Sequence, residues 1–213
     1  MNNKAILLPE WANQSAIQLT WPHEGTDWRE YLDDICATYA EMADAITRYE
    51  KLLVVAPKPE LVKKELSKRL TSCQLDNIIF HKCPTNDTWA RDHGFITLGG
   101  DGTYTLLDFR FNGWGNKFEA ALDNAINRSL YDNGVVEGTY TDLNSFVLEG
   151  GSIESDGRGT VLTTSQCLLA PHRNQPLTRS EIELKLKSML HAERILWIDY
   201  GHLEGDDTDG HID

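Results

Sequence analysis

The chain has 213 residues, of which 40% are apolar and 25% charged, a composition that excludes collagen-like and disordered proteins and fits a folded domain. Its 33 acidic residues against 20 basic ones give a formal charge of -13, which repels phosphate backbones and favours cationic partners, so nucleic acid is not expected. No apolar run approaches the roughly 18 residues of a membrane span, and Ala5 to Leu8, followed by Pro9 and Glu10, is too short for a signal-peptide core. No membrane association and a cytoplasmic location are therefore expected.

In chain order, Ile17 to Trp21 reads as a strand. Trp28 to Tyr49 reads as a helix, with Tyr31, Ile35, Tyr39, Met42 and Ile46 on its apolar face. Leu52 to Ala56 is a buried strand stopped by Pro57, Pro59 to Leu70 an amphipathic helix, and Asn77 to Phe80 another strand. From Gly94 the pattern changes. Phe95 to Leu98 and Tyr104 to Phe109 flank the turn Gly99-Gly100-Asp101-Gly102 as a hairpin, and Lys117 to Leu130 is helical. Ser145 to Leu148 is a strand, and Ser152 to Ser155 and Thr160 to Thr163 flank a second turn, Asp156-Gly157-Arg158-Gly159. Thr178 and Glu181 have capping-box spacing at the start of a helix to about Leu190, and Arg194 to Ile198 is the last strand. Strand-strand-helix-strand units thus recur about every 50 to 60 residues, the mark of a repeat architecture.

The four cysteines, Cys36, Cys73, Cys83 and Cys167, lack C-x-x-C spacing and are too sparse for a disulfide scaffold, so they read as buried free thiols. Polar and aromatic residues crowd the strand ends. These are Trp21-Pro22-His23, Asn86 to Asp92, Asn112-Gly113-Trp114-Gly115, Glu149-Gly150-Gly151 and Gly205 to Asp213, the kind of loops on which scaffolds carry sites. His211 and Asp213 are two apart, so in an extended segment both leave on one face. His202, Asp206, Asp207, Asp209, His211 and Asp213 could in principle ligate a metal, but a calcium-loop pattern needs an acidic residue where Gly205 stands. No metal is expected.

Asn86-Asp87-x-Trp89-x-Arg91-Asp92, Leu148-Glu149-Gly150-Gly151-Ser152, Leu162-Thr163-Thr164 through Cys167-Leu168-Leu169, and Thr208-Asp209-Gly210-His211-Ile212-Asp213 follow one another in this order. From Trp21 to Asp213 the chain resembles the agmatine deiminase and bacterial peptidylarginine deiminase family of guanidino-group-modifying enzymes. The Trp-x-Arg-Asp and Glu-Gly-Gly contexts lie closer to the agmatine branch than to arginine deiminase or dimethylarginine hydrolase. The resemblance implies an α/β fold, a five-bladed α/β propeller (pentein) with its site on the pseudo-fivefold axis.

By motif position, the resemblance implies that Asp92 and Asp213 clamp the guanidinium, that His211 is general acid and base, and that Glu149 orients His211. Asp87, Trp89 and Asp207 would also face the substrate, with Asp207 answering the second cation of agmatine. The chemistry suits these residue types: a guanidinium is planar, five-donor and permanently charged, and its resonance-deactivated carbon needs a strong nucleophile. In the family that nucleophile is a cysteine near the C-terminus in a Gly-rich segment beside a histidine, and no cofactor is used. Nothing here matches it, and Cys36 and Cys167 read as inert core thiols. Residues 1–213 are accordingly expected to be the N-terminal three-fifths of one deiminase domain, inactive alone. The partner implied is a small cationic guanidino compound. A homo-oligomer is left open, and the competing readings are a peptidylarginine or arginine deiminase and a non-catalytic guanidine- or polyamine-binding module.

Overall fold

The computed structural model describes residues 5–100, 102–200 and 209–212, so Asp207 and Asp213 lie outside the described residues. In chain order the elements are β1 (Ile6–Leu7), β2 (Ile17–Thr20), α1 (Leu32–Thr47), β3 (Leu52–Ala56), α2 (Pro59–Leu66), α3 (Ser72–Asp76), β4 (Ile78–Lys82) and α4 (Ala90–His93). Then come β5 (Ile96–Gly100), β6 (Thr103–Arg110), α5 (Gly113–Asn116), α6 (Ala121–Asn124), α7 (Ile126–Asp132), β7 (Thr139–Val147), β8 (Ile153–Ser155), β9 (Thr160–Thr164), α8 (Ser165–Leu168), α9 (Arg179–Met189) and β10 (Arg194–Ile198). The chain divides into two compact units, residues 13–90 with 120–135, and residues 1–12 with 91–119 and 136–213.

The first unit is a three-stranded parallel sheet in the order β2-β3-β4. Leu52–Ala56 is buried at every position, as a central parallel strand covered on both faces must be. Its core gathers Leu19, Trp21, Ala43, Leu52, Val54, Val62, Leu66 and Ile78. The helix expected from Trp28 begins as a 3-10 turn, Asp27–Tyr31, and becomes α-helical at Leu32. The second helix ends at Leu66 rather than Leu70.

The second unit holds two sheets, β1-β5-β6-β7 and β10-β9-β8. In each, an antiparallel hairpin is followed by helix and then by a strand parallel to the hairpin's second member: β5-β6 with β7, and β8-β9 with β10. Among the described residues the strand-strand-helix-strand unit therefore occurs twice with the same pairing. The sheets are open, and the fold is mixed α/β. One core, including Leu98, Phe109, Phe146, Leu148, Val161, Leu168, Ile182 and Leu186, serves both sheets. Thr178 and Glu181 form the expected capping box on α9.

The expected helix Lys117 to Leu130 is instead broken into α6 and α7. The Asn86 side-chain oxygen accepts the Leu122 and Asp123 amides at 2.8 and 3.3 Å, which starts a helix there. Asp123 returns its carboxylate to the amides of Asn86 and Asp87, the closest at 2.7 Å. β7 begins at Thr139, six residues before the expected Ser145, because pairing with β6 from Thr105 onward extends a polar segment that has no apolar alternation of its own.

Candidate active site

Asp92, Glu149 and His211 come together in the second unit. Asp92 sits on α4, 8% exposed. Its Oδ1 accepts the Gly151 amide at 3.0 Å and its Oδ2 the indole N–H of Trp114 at 2.9 Å, which leaves lone pairs on both oxygens for a further donor. Trp114 reaches it through an irregular turn, with φ of 56° at Trp114 and 81° at Gly115, closed by the Asn112 side chain accepting the Gly115 amide at 3.0 Å. Phe111 and Phe118 pack edge-on against the indole, with ring centroids 5.1 and 5.7 Å away.

Glu149 follows β7 and is wholly buried. The backbone turns at Gly150–Ser152, and only glycine fits at 150, where a Cβ would lie 2.0 Å from the Arg91 carbonyl oxygen. Arg173 donates its Nε–H to the two Glu149 oxygens at 3.0 and 3.2 Å, and the Cys167 thiol donates to Oε2 at 3.3 Å. His211 lies between the carboxylates, its Nδ1 3.5 Å from Asp92 and its Nε2 3.8 Å from Glu149. Asp92 thus approaches His211 slightly more closely than the expected partner Glu149 does.

The segment carrying His211 is held at successive residues. Asp209 accepts from Arg173 Nη2 at 2.8 Å and pairs with Lys117 Nζ at 3.1 Å. Thr164 Oγ1, which also caps α8 by accepting the Cys167 amide at 3.1 Å, donates to the Gly210 carbonyl. The Ile212 amide donates to the Gly151 carbonyl at 3.1 Å.

The two carboxylates respond oppositely to burial. For Asp92, burial raises the pKa and prevails over the attraction of His211 and the bonds from Trp114 and Gly151. For Glu149, burial pushes up as well, but the nearby His211 imidazole and the Arg173 guanidinium outweigh it and hold the carboxyl below its ordinary value. The Cys167 thiol is pushed well above the usual range, by burial first and by the Glu149 charge second. Glu149, Cys167 and His211 offer donor atoms within 4.8 Å of one another, the spacing of a metal site. Arg173 already neutralises Glu149 and the thiol holds its proton strongly, so the charges suit proton transfer better than a cation.

Of the other expected site residues, Asp87 and Trp89 belong to the first unit, where the Trp89 indole donates to Asp87 Oδ2 at 3.0 Å. Burial raises the Asp87 pKa. Cys167 has no histidine beside it along the chain, but in space it shares Glu149 with His211. Arg173 was not anticipated. Its only sequence signal is a loop arginine in Pro171-His172-Arg173-Asn174.

The family model described as Porphyromonas-type peptidyl-arginine deiminase matches residues 6–213. An agmatine deiminase of Ectopseudomonas mendocina is 35% identical over 96% of this chain and 55% of its own length. A C. jejuni agmatine deiminase, in a cysteine-to-serine form with substrate bound, superposes with a TM-score of 0.87 at 41% identity, over 99% of this chain and 60% of that one. The agmatine deiminase of Enterococcus faecalis superposes with a TM-score of 0.83 at 29% identity, over 98% and 56% respectively. The chain therefore spans a little over half the length of these relatives. On the match over residues 6–213, the chain belongs to the Porphyromonas-type peptidyl-arginine deiminase family.

Proposed function

We propose that these residues form the guanidinium-gripping and proton-transfer part of an agmatine deiminase. The observation that carries the reading is the meeting of Asp92, Glu149 and His211, at 3.5 and 3.8 Å, from segments about 60 residues apart in sequence. Asp92 has acceptor capacity left for one edge of a planar guanidinium, and Asp213 would take another edge. The scaffold is then part of a five-bladed α/β propeller. The twice-repeated pairing of β5-β6-β7 and β8-β9-β10 and the likeness to whole deiminases support it.

In this reading a cysteine thiolate adds to the guanidinium carbon, and ammonia departs with a proton from His211. The resulting S-alkylthiouronium is attacked by water, whose proton returns to His211. The C–S bond breaks as the remaining hydroxyl proton passes to solvent, where the released ammonia takes it up as ammonium, and this gives N-carbamoylputrescine and the free thiolate. Burial raises the thiol pKa of Cys36, Cys83 and Cys167, so none of these three is the activated nucleophile, and Cys73 is exposed on the short α3 of the first unit. The thiolate would be supplied by residues outside these 213, in keeping with the greater length of the relatives. Asp207 would answer the distant ammonium of agmatine, and the -13 charge would concentrate such a dication. A cytoplasmic location belongs to the same reading.

The test is ammonia release from agmatine by the protein extended to its relatives' length. Asp92→Asn removes charge-assisted bonds worth about 1.5 to 3 kcal/mol each, so kcat/KM should fall at least about tenfold. Wild-type efficiency in that variant would remove Asp92 from the clamp. A native preference for peptidylarginine would overturn agmatine as substrate, and a preference left unchanged by Asp207→Ala would remove Asp207 from substrate selection. Saturable agmatine binding without ammonia release would favour a binding module.

A further inference from the structure

We propose that Arg173 is the positioning residue of this site: its guanidinium balances the buried Glu149 charge beside His211 and ties down the segment that carries His211. The proposal rests on the assignment of Asp92, Glu149 and His211 to guanidine chemistry, but it concerns how that group is charged and held.

Arg173 is an interior arginine whose side chain is 3% exposed. Its Nε–H serves Glu149 at 3.0 and 3.2 Å and its Nη2 serves Asp209 at 2.8 Å, so one rigid fork spans two carboxylates from different segments. A lysine ammonium, a point charge on a flexible stem, does not reproduce that span. Lys117 also reaches Asp209, at 3.1 Å, but its side chain is 40% exposed, so its charge is shared with solvent.

Among the described residues, the groups facing His211 include Asp92 at Nδ1, Glu149 at Nε2, and the Cys167 thiol that shares Glu149. With Asp92 and Glu149 both ionised, Arg173 is the buried cation that offsets one of them. Without it, the group must take up a proton, on the imidazole or on Glu149, which titrate as a coupled pair. The second role is mechanical. Asp209 is two residues before His211, and the Arg173 contact anchors the same short segment that Thr164 holds at Gly210 and Gly151 holds at Ile212.

The two roles separate in one experiment on the 213-residue chain. The His211 ring is titrated by NMR with labelled histidine, and exchange of the Ile212 amide is followed alongside. In Arg173→Met the upper titration midpoint of the pair should rise by about one unit or more. Arg173→Lys, which keeps the charge and loses the fork, should hold the midpoint near that of the native protein yet speed Ile212 exchange about tenfold or more. Asp209→Asn should also speed that exchange and leave the midpoint nearly unchanged.

A folded Arg173→Met with an unmoved midpoint overturns the charge-balancing role. A native Ile212 exchange rate in both Arg173→Lys and Asp209→Asn overturns the anchoring role. If Arg173→Met does not fold by circular dichroism, the other two variants still decide: fast exchange supports the anchor and native exchange refutes it. None of these readings depends on turnover, so failure to deiminate agmatine would count against the substrate assignment and not against Arg173.

Discussion

His93, beside Asp92 on α4, is 2% exposed, and burial pushes its imidazole down to about 4. In the unfolded chain the ring takes a proton near its ordinary value of about 6.5, whereas the folded protein refuses it until about pH 4. The unfolded state therefore binds more protons across that window. Stability is full above about pH 6.5, falls by up to ~3 kcal/mol as the pH drops toward 4, and levels off below it. Urea unfolding at pH 7 and pH 5 should show a loss of about 2 kcal/mol, largely abolished in His93→Gln. An equal loss in the variant would assign the acid sensitivity to another group. At this scale the sequence is uneven in what it discloses. Asp92, Glu149 and His211 stand out because each lies in a run of glycines, aromatics and acids whose order resembles a family. Arg173 does not, because its partners lie 24 and 36 residues away and no local pattern announces a buried guanidinium.

Among the elements, the turn Gly150–Ser152 couples the end of β7 to α4. A methyl group at residue 150 would meet the Arg91 carbonyl at 2.0 Å, and neither backbone can yield without moving the Gly151 amide off Asp92. Gly150→Ala should destabilise the fold by about 1 to 3 kcal/mol or more. It should also weaken guanidine binding. Gly134→Ala is the control: its φ of 65° imposes strain, but nothing lies within 4 Å of the added carbon. Equal losses in the two variants, read from chemical denaturation, would show that close packing at residue 150 is not decisive. Hairpins were legible because their turns are local and rich in glycine. The break between α6 and α7 was not, since the residue that starts α6 is Asn86, 36 residues upstream of Leu122. The polar first half of β7 was hidden for a related reason: its strand character comes from β6 and not from its own side chains.

For the whole molecule, the expected strand-strand-helix-strand recurrence and the spacing of the site residues have one origin. Glu149 and His211 stand about 60 residues apart, close to the length of the repeating unit, and each follows the last strand of one unit, β7 or β10, while Asp92 precedes the first strand of the first. The 213-residue chain should bind guanidines yet release no ammonia from agmatine, while the protein at its relatives' length should turn agmatine over. Saturable ammonia release by the shorter chain would require one of its own four cysteines to act. Cys167, buried and with its proton held by its surroundings, has a use in that comparison. An alkylating reagent at neutral pH discriminates by ionisation and access, so Cys167 should stay unlabelled while an activated thiolate reacts at once. Mass spectrometry of briefly treated protein would thus report the nucleophile directly against an internal standard of silence, with no substrate present.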